Sequence, residues 1–296
     1  MKITLPDNSS RELPEGSSGY DLAKDIGPGL AKSAIAVTIN GVQRDLHDAI
    51  DADASVSIIT IDSDEGVEIM RHTLTAQVLA RAIKNLYPKS KLAIGPTVQD
   101  GFYYDVESDE SISSDDLSKI EEEMKKIIKT KSAITKKLVS KKEALKIFKS
   151  NKEPYKEIII NESDQDDDFQ LYYQDDEEFV DLCKGPHLPN LGFIGSFKLT
   201  KVSGAYWKGD SKNSMLTRIY GTAFSNDKDL QNHLDNIEEA LKRDHRKLGK
   251  EMDLFHFQDE APGMVFWHPN GWTIYRKLRN FVRDRLKENN YIEVNT

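Results

Sequence analysis

Hydrophobic and polar positions alternate in short segments over the first sixty residues, as in β-strands that bury one face. The alternating segments are residues 2–5, 11–13, 34–39 and 55–60. Turns at Pro6-Asp7-Asn8 and Asn40-Gly41 separate them, and a short helix is predicted over residues 20–26. This order of strands, hairpin and helix predicts a small mixed module without a catalytic cluster of its own.

From residue 65 the hydrophobic positions recur every three or four residues, which predicts a helix over about 70–87 that Pro88 ends. Residues 101–106 are then predicted as a strand, and residues 113–116 as the cap of a helix that runs to about residue 129. Ser140 and Glu143 form a capping box for a further helix through Phe148.

The second half of the chain changes character twice. Residues 155–224 are predicted as sheet and loops, and residues 228–252 as one long helix with a polar outer face. Another helix is predicted over residues 267–289, and residues 291–294 are expected to begin a strand. Because that strand falls at the end of the sequence, we expect the last domain to be incomplete.

These elements predict an α+β fold with several domains. The expected parts are a β-grasp, ubiquitin-like module at 1–62, an α+β domain with an antiparallel sheet at 63–224, a linker helix at 225–252 and the start of another domain at 253–296. With 296 residues, of which 38% are hydrophobic, the chain is long enough for several separately cored domains.

Charge is unevenly distributed along the chain. The net charge of −9 excludes a uniformly basic nucleic-acid-binding protein, but residues 125–156 are rich in lysine and residues 162–178 are strongly acidic. The basic segment permits RNA binding without demonstrating it. No apolar run approaches the roughly 20 residues of a membrane span, so we expect a cytoplasmic protein that does not bind membranes.

Cys183 is the only cysteine, and it lies four residues before His187, around Gly185-Pro186. Such a pair can bind a metal, form a nucleophilic dyad or orient and polarise a water molecule. A packed structural cysteine beside an incidental histidine explains this segment equally well when the segment is taken alone.

A second candidate cluster runs from His72 to Gln77, at the start of the predicted helix. Residues four apart on an α-helix are separated by about 40° around the axis, and residues five apart by about 140°. Thr73 and Gln77 would therefore share a face, whereas His72 and Gln77 would not. A third cluster, residues 204–210 (GAYWKGD), has the composition of an exposed loop, with an ordinary hairpin as the alternative.

Motifs spread along the chain resemble those of the threonine-tRNA ligase family. They are residues 93–96 (AIGP), 101–105 (GFYYD), 180–187 (VDLCKGPH), 204–210, 218–223 (RIYGTA), 242–247 (KRDHRK) and 260–268 (EAPGMVFWH). The resemblance implies that the four segments are a TGS domain, a tRNA-editing domain, a linker helix and the start of a class II catalytic domain. The alanine-tRNA ligase editing domain shares the Cys-x-x-x-His element but lacks the motif at 263–268.

Editing in this family is the hydrolysis of serine wrongly esterified to tRNA. The resemblance implies that His187 and Cys183 are the catalytic pair that orients water, with His72 as a third catalytic candidate. The implied substrate-binding residues are Lys156, Tyr104, Asp181, Gln77 and Thr73. Lys156 would stabilise charge on the carbonyl oxygen or hold the terminal nucleotide.

The sequence departs from the family at the first helix, where two histidines usually stand four residues apart. One alignment puts Thr73 and Gln77 at those positions, and the other keeps His72 but inserts one residue, which a π-bulge could absorb. Both replace an imidazole by Gln77, which cannot take up a proton near neutral pH, so we expect slowed or absent editing. With at most three nitrogen and sulfur ligands left, no metal is predicted in this chain.

The resemblance also implies partners and cofactors. This chain is expected to bind the acceptor arm of tRNA(Thr) and to need no cofactor. The parent enzyme would use ATP with Mg²⁺ and hold a Zn²⁺ in its catalytic domain, whose ATP-binding motifs and zinc ligands would lie beyond Thr296, and it would form a homodimer through that domain. The alternative function is a non-catalytic tRNA- or RNA-binding regulatory module.

Overall fold

A computed structural model describes residues 1–174 and 179–294. The chain divides into two compact units, Met1–Leu230 and Gln231–Thr296. Residues 175–178, which belong to the acidic segment noted above, and residues 295–296 lie outside the described part of the chain.

The first sixty residues form a five-stranded sheet with two helices. The elements are β1 (Lys2–Thr4), β2 (Ser10–Glu12), α1 (Gly19–Ile26), α2 (Pro28–Ser33), β3 (Ala34–Ile39), β4 (Val42–Asp45) and β5 (Ala54–Thr60). The strand order is β2-β1-β5-β3-β4, in which β1 and β5 are parallel and the other neighbours antiparallel. A capping box between Ser18 and Asp21 begins α1, which buries Leu22 in the core with Ile3 and Val37. The hydrophobic pattern does not predict α2 or β4, which are short.

A continuous helical rod follows, and its middle turn is not α-helical. It consists of α3 (Asp64–Thr73), a π-helical turn (Leu74–Leu79) and α4 (Ala80–Leu86). The rod begins earlier than predicted because the Ser63 side chain accepts a hydrogen bond from the Gly66 amide and caps α3. The π turn accommodates one extra residue, which shifts the later residues around the helix axis.

The first unit also contains two further sheets and three further α-helices. The elements are β6 (Lys91–Leu92), β7 (Thr97–Val98), β8 (Gly101–Glu107), α5 (Leu117–Lys129), β9 (Ile134–Val139), α6 (Lys141–Ser150), α7 (Pro154–Glu162), β10 (Phe169–Gln174), β11 (Val180–Leu182), β12 (Ser196–Tyr206) and β13 (Met215–Phe224). One sheet has the order β11-β10-β9, and the other has the order β12-β13-β8-β6 with β7 also on β8; every pairing is antiparallel. The multi-domain α+β class with an antiparallel sheet is therefore confirmed.

Helix α7 lies where sheet and loops are predicted. Pro154 occupies its first turn, where a fixed φ suits the helix and no backbone N–H is required. The β-branched run Ile158-Ile159-Ile160 suggests a strand, but Ile160 and Tyr155 of this helix are buried in two separate hydrophobic clusters. Tertiary packing outweighs the local strand preference, and α7 brings Lys156 into the interior.

The remaining elements are α8 (Asp227–Lys242), α9 (His245–Glu251), β14 (Phe255–His256), β15 (Phe266–Trp267) and α10 (Pro269–Glu288). The single helix predicted over 228–252 is divided because the Asp244 side chain accepts a hydrogen bond from the Arg246 amide and caps α9. Residues 291–294 do not form the predicted strand. In the described part of the chain, no helix is long and apolar enough to cross a membrane.

Candidate functional site

A cavity of about 450 Å³ opens beside the helical rod in the first unit. Its walls come from the rod, the turn after β6, helix α7, and the chain around β10 and β11. The lining residues are His72, Ala76, Ile94, Gly95, Pro96, Lys156, Ile159, Ser163, Gln165, Phe169, Gln170, Asp181, Leu182, Cys183, Lys184 and Gly185. Four of the predicted site residues, His72, Lys156, Asp181 and Cys183, thus line one cavity.

Two residues of the helical rod, four positions apart, face this cavity. His72 and Ala76 lie in the wall, whereas Gln77 is fully buried outside it. The Gln77 carbonyl accepts a hydrogen bond from Gln174 Nε2 at 2.7 Å, and Gln77 Nε2 has no hydrogen-bond partner among the described residues. The expected contact of Gln77 with substrate therefore does not match its position.

Three side chains from two distant segments form a cluster at the cavity wall. His72 Nε2 lies 2.8 Å from Cys183 Sγ. The His187 imidazole stacks on His72, with ring centroids 4.7 Å apart and an interplanar angle of 12°. His187 is only 1% exposed and does not line the cavity, so His72 and Cys183 are the members of the cluster that a substrate can reach.

Thr73 determines how His187 can form hydrogen bonds. The Thr73 hydroxyl donates to the Ile69 carbonyl at 2.9 Å, accepts from the Leu188 amide at 3.0 Å and lies 3.1 Å from His187 Nδ1. Because its single hydrogen is already used, the Thr73 hydroxyl accepts from His187 Nδ1, and His187 Nε2 has no hydrogen-bond partner among the described residues. Thr73, an expected substrate-binding residue, thus holds His187 from inside the fold.

A buried ion pair forms another part of the wall. Lys156 Nζ lies 2.6 Å from Asp181 Oδ1, and the Tyr104 hydroxyl donates to Asp181 Oδ2 at 3.2 Å. Tyr104 is fully buried outside the wall, so its expected contact with substrate does not match its position. Burial and the Asp181 charge raise the pKa of Tyr104 well above its usual value, so the phenol stays protonated and acts as a donor. An ammonium group has three N–H donors, so Lys156 can pair with Asp181 and still bind an oxygen in the cavity.

Burial also determines the charge of His72. Loss of hydration lowers the pKa of His72 below its ordinary value near 6.5, and the nearby Asp181 carboxylate offsets only part of that shift. The imidazole is consequently neutral at neutral pH and can accept a proton.

The same cluster contains the one group in the described residues with metal-ligand character: the ligand atoms of His72, Cys183 and His187 all lie within 4.8 Å of one another. A tetrahedral zinc ion with ligands at about 2.0 and 2.3 Å would hold nitrogen and sulfur about 3.5 Å apart. His72 and Cys183 are closer, at 2.8 Å, as in a direct contact. The prediction that this chain holds no metal stays a prediction.

The sequence does not identify two apolar residues of the wall, Ile159 and Phe169, which lie outside every motif. Ala76 lies in the candidate cluster from His72 to Gln77, and the other apolar residues of the wall lie in the motifs at 93–96 and 180–187. A side chain at Gly95 would place its Cβ 2.2 Å from the Tyr104 ring, which explains the glycine. Residues 204–210 lie at the end of β12 and the following turn, away from the cavity wall.

Two segments match domain families of synthetases. Residues 1–60 match the TGS domain, and residues 170–220 match the "Threonyl and Alanyl tRNA synthetase second additional domain". The second match contains Asp181, Cys183 and His187, so the cavity wall includes a segment of that domain. The chain is therefore of the class of aminoacyl-tRNA synthetase proteins that carry TGS and second additional domains.

The chain is 51% identical over 294 residues to the threonine–tRNA ligase of Prochlorococcus marinus (strain MIT 9211), an overlap of 99% of this chain and 46% of that protein. It belongs to the threonine–tRNA ligase family over the part that it shares. It spans about half the length of this relative.

Proposed function

We propose that this chain is the tRNA-binding and editing part of a threonine–tRNA ligase and hydrolyses the ester of seryl-tRNA(Thr). The observation that carries the proposal is the cavity, whose wall combines the His72–Cys183 pair with the Lys156–Asp181 ion pair. Ester hydrolysis by water is promoted by a base that takes a proton from the water and by a cation that stabilises charge on the carbonyl oxygen. The cavity wall offers both.

In the proposed reaction, a water molecule held against Cys183 and His72 attacks the ester carbonyl carbon and passes a proton to the His72 imidazole. Lys156 stabilises the negative charge that develops on the carbonyl oxygen. The bond from the carbonyl carbon to the ribose oxygen breaks, and that oxygen takes the proton that His72 accepted from the water, which returns the imidazole to its starting form. The products are serine and uncharged tRNA, so atoms and charges balance.

Such a second site is useful because a site shaped for threonine cannot strongly reject serine. One missing methyl group changes binding by only about 1–3 kcal/mol. A hydrolytic cavity that admits serine and excludes the larger threonine adds a second selection step. We therefore expect seryl-tRNA(Thr) to be hydrolysed much faster than threonyl-tRNA(Thr).

We also propose that editing here is slower than in relatives with two histidines. The helical side of the cavity offers one imidazole, that of His72, and the next wall position of the rod is Ala76. A methyl group can neither hydrogen-bond water nor accept its proton.

The test is incubation of the chain with seryl-tRNA(Thr) and, separately, with threonyl-tRNA(Thr). Serine release above the spontaneous rate, with little threonine release, supports editing. A seryl-tRNA half-life equal to that in buffer contradicts it.

The alternative is a module that binds tRNA without chemistry. His187 is buried and does not line the cavity, so it cannot act directly on a bound ester. This observation favours the alternative over a site in which His187 is the catalytic group. Retention of seryl-tRNA on the chain without hydrolysis would support it.

We propose that the whole enzyme ligates threonine to tRNA, which is the activity that its relative is named for. We further propose that it uses ATP with Mg²⁺ and a Zn²⁺ ion, acts as a homodimer in the cytoplasm, and that this chain binds the acceptor arm.

A further inference from the structure

We propose that Asp45, a residue of the TGS domain, is a positioning residue of the editing site, where it fixes the backbone of His187 and the ring of Tyr172. This inference rests on the proposed editing function for its effect on rate. Its structural part can be measured independently of any activity.

Asp45 lies at the end of β4 and reaches into the neighbouring domain. Its Oδ1 accepts a hydrogen bond from the His187 amide at 2.8 Å, and its Oδ2 accepts one from the Tyr172 hydroxyl at 2.8 Å. Lys136 Nζ lies 2.9 Å from the same Oδ2. One carboxylate thus joins a TGS strand to two groups beside the catalytic cluster.

The two groups that Asp45 holds determine where the His187 imidazole lies. The Tyr172 ring meets His187 edge-on, with centroids 4.4 Å apart and an angle of 74°. The opposite contact is His72, which stacks on His187 and itself touches Cys183. A shift of Tyr172 or of the His187 backbone would therefore pass through His187 to the His72–Cys183 pair.

The loop that carries His187 is fitted closely around the Tyr172 hydroxyl. Gly185 has a φ of +64°, and a Cβ there would lie 2.0 Å from that hydroxyl oxygen. Tyr172 can occupy this place only as long as residue 185 is glycine. The hydroxyl is thus enclosed by the loop on one side and by Asp45 on the other.

Removal of the carboxylate would leave two donors without this acceptor. Burial, followed by the Asp45 charge, raises the pKa of Tyr172, so the hydroxyl keeps its proton, and without Asp45 its remaining acceptor would be Gln170 Oε1 at 3.1 Å. The His187 amide also needs an acceptor. At the His187 amide, water or a rearranged loop would have to replace Asp45, and at Tyr172 the hydroxyl would turn towards Gln170; either change would loosen the position of the imidazole.

Asp48 provides a matched control in the same domain. Its Oδ2 lies 2.5 Å from Lys136 Nζ, so it shares the ion pair that links the TGS domain to β9. In the described part of the chain it makes no hydrogen bond to His187 or Tyr172. Asp48→Ala therefore weakens the contact between the domains without removing the two bonds in question.

The experiment compares the full chain with its Asp45→Ala, Asp45→Asn and Asp48→Ala variants by two measurements. The first is amide hydrogen exchange of His187 followed by NMR, in which we expect Asp45→Ala to exchange about tenfold faster or more and Asp48→Ala to match the parent. The second is hydrolysis of seryl-tRNA(Thr), in which we expect Asp45→Ala to lower kcat about ten- to a hundredfold with little change in KM. Asp45→Asn retains an oxygen for the His187 amide, so it should recover most of the rate.

Equal effects of Asp45→Ala and Asp48→Ala on both measurements would overturn the proposal, because they would indicate general loosening of the domain contact. Unchanged exchange at His187 in Asp45→Ala would also overturn it, whether or not the chain hydrolyses tRNA esters. Faster exchange with an unchanged kcat would overturn the catalytic part. A parent chain without hydrolysis would instead contradict the proposed function, and the exchange measurement would still decide whether Asp45 positions His187.

Discussion

The two sides of the cavity relate to their sequence in different ways. On the loop side, Cys183 and His187 lie four residues apart in the sequence, and the structure brings both side chains into one cluster with His72. On the helical side, the sequence allows two alignments with the family that it resembles, and the structure has a π-helical turn at Leu74–Leu79. His72 contacts Cys183, and Ala76, the other rod residue of the cavity wall, has no imidazole.

The difference shows that an insertion in a helix does not simply move a whole site. A π turn confines the extra residue to one turn, so the residues before it keep their contacts and those after it are rotated. In this chain His72 lies before the π turn and contacts Cys183, whereas Ala76 and Gln77 lie within it, Ala76 at the cavity wall and Gln77 against Gln174. The Lys156–Asp181 ion pair, in contrast, lies on neither the rod nor the Cys183–His187 loop alone, since Lys156 is in α7 and Asp181 in β11.

The largest expected effect concerns the buried ion pair. Lys156→Met leaves the Asp181 carboxylate buried without its partner, which should destabilise the chain by about 3–5 kcal/mol in urea unfolding. Adding Asp181→Asn should recover part of this loss because no buried charge remains. Lys142→Met, at an exposed position, is the control and should stay near the parent. A Lys156→Met variant as stable as the control would show that the pair contributes little.

A second imidazole at the cavity wall should increase the rate of hydrolysis, and this effect should be smaller than the loss of stability in Lys156→Met. Ala76→His places a second imidazole at the cavity wall and should raise seryl-tRNA hydrolysis about tenfold or more. Gln77→His should not raise it, since that side chain is buried against Gln174. Single-turnover rates of the two variants decide the matter. A gain in Gln77→His alone would mean that the rod is turned differently from the structure described.

The pH dependence should reflect the neutral His72. A base must be unprotonated to act, and burial lowers the pKa of His72, so hydrolysis should be independent of pH near 7 and fall only on acidification below about 6.5. A pH–rate profile of the parent measures this limb, and His72→Gln should abolish it. An acidic limb with its midpoint above 7 would contradict the assignment of His72 as the base.

Metal removal should have no effect. We expect zinc well below one ion per chain by elemental analysis, and the same seryl-tRNA hydrolysis before and after dialysis against a chelator. A full equivalent of zinc, lost together with activity, would show that His72, Cys183 and His187 act as ligands.

Local sequence patterns predicted the parts of this fold whose signals are local. The alternation at residues 34–39 and the Ser140–Glu143 capping box correspond to a strand and a helix start in the structure. Helix α7 was missed because its three isoleucines favour a strand locally, and only packing of Ile160 reverses that preference. The division between α8 and α9 depends on one cap, Asp244, within an otherwise helical pattern.

The candidate site follows the same rule. The spacing of Cys183 and His187 is visible in the sequence, and so is the choice between two alignments at His72. The pattern could not choose between them, because the π turn depends on how Leu74 and Leu79 pack in the core. Asp45 carries no signal at all, since its partners Tyr172 and His187 lie more than a hundred residues away along the chain.

The central claim is that the π turn keeps His72 at the cavity wall as the working base. The most direct measurement is the single-turnover rate of seryl-tRNA(Thr) hydrolysis by the chain, by His72→Ala and by His245→Ala, whose histidine is exposed far along the sequence in the second unit. We predict a fall of about a hundredfold or more in His72→Ala and none in His245→Ala. A His72→Ala variant that hydrolyses the ester at the parent rate would contradict the account.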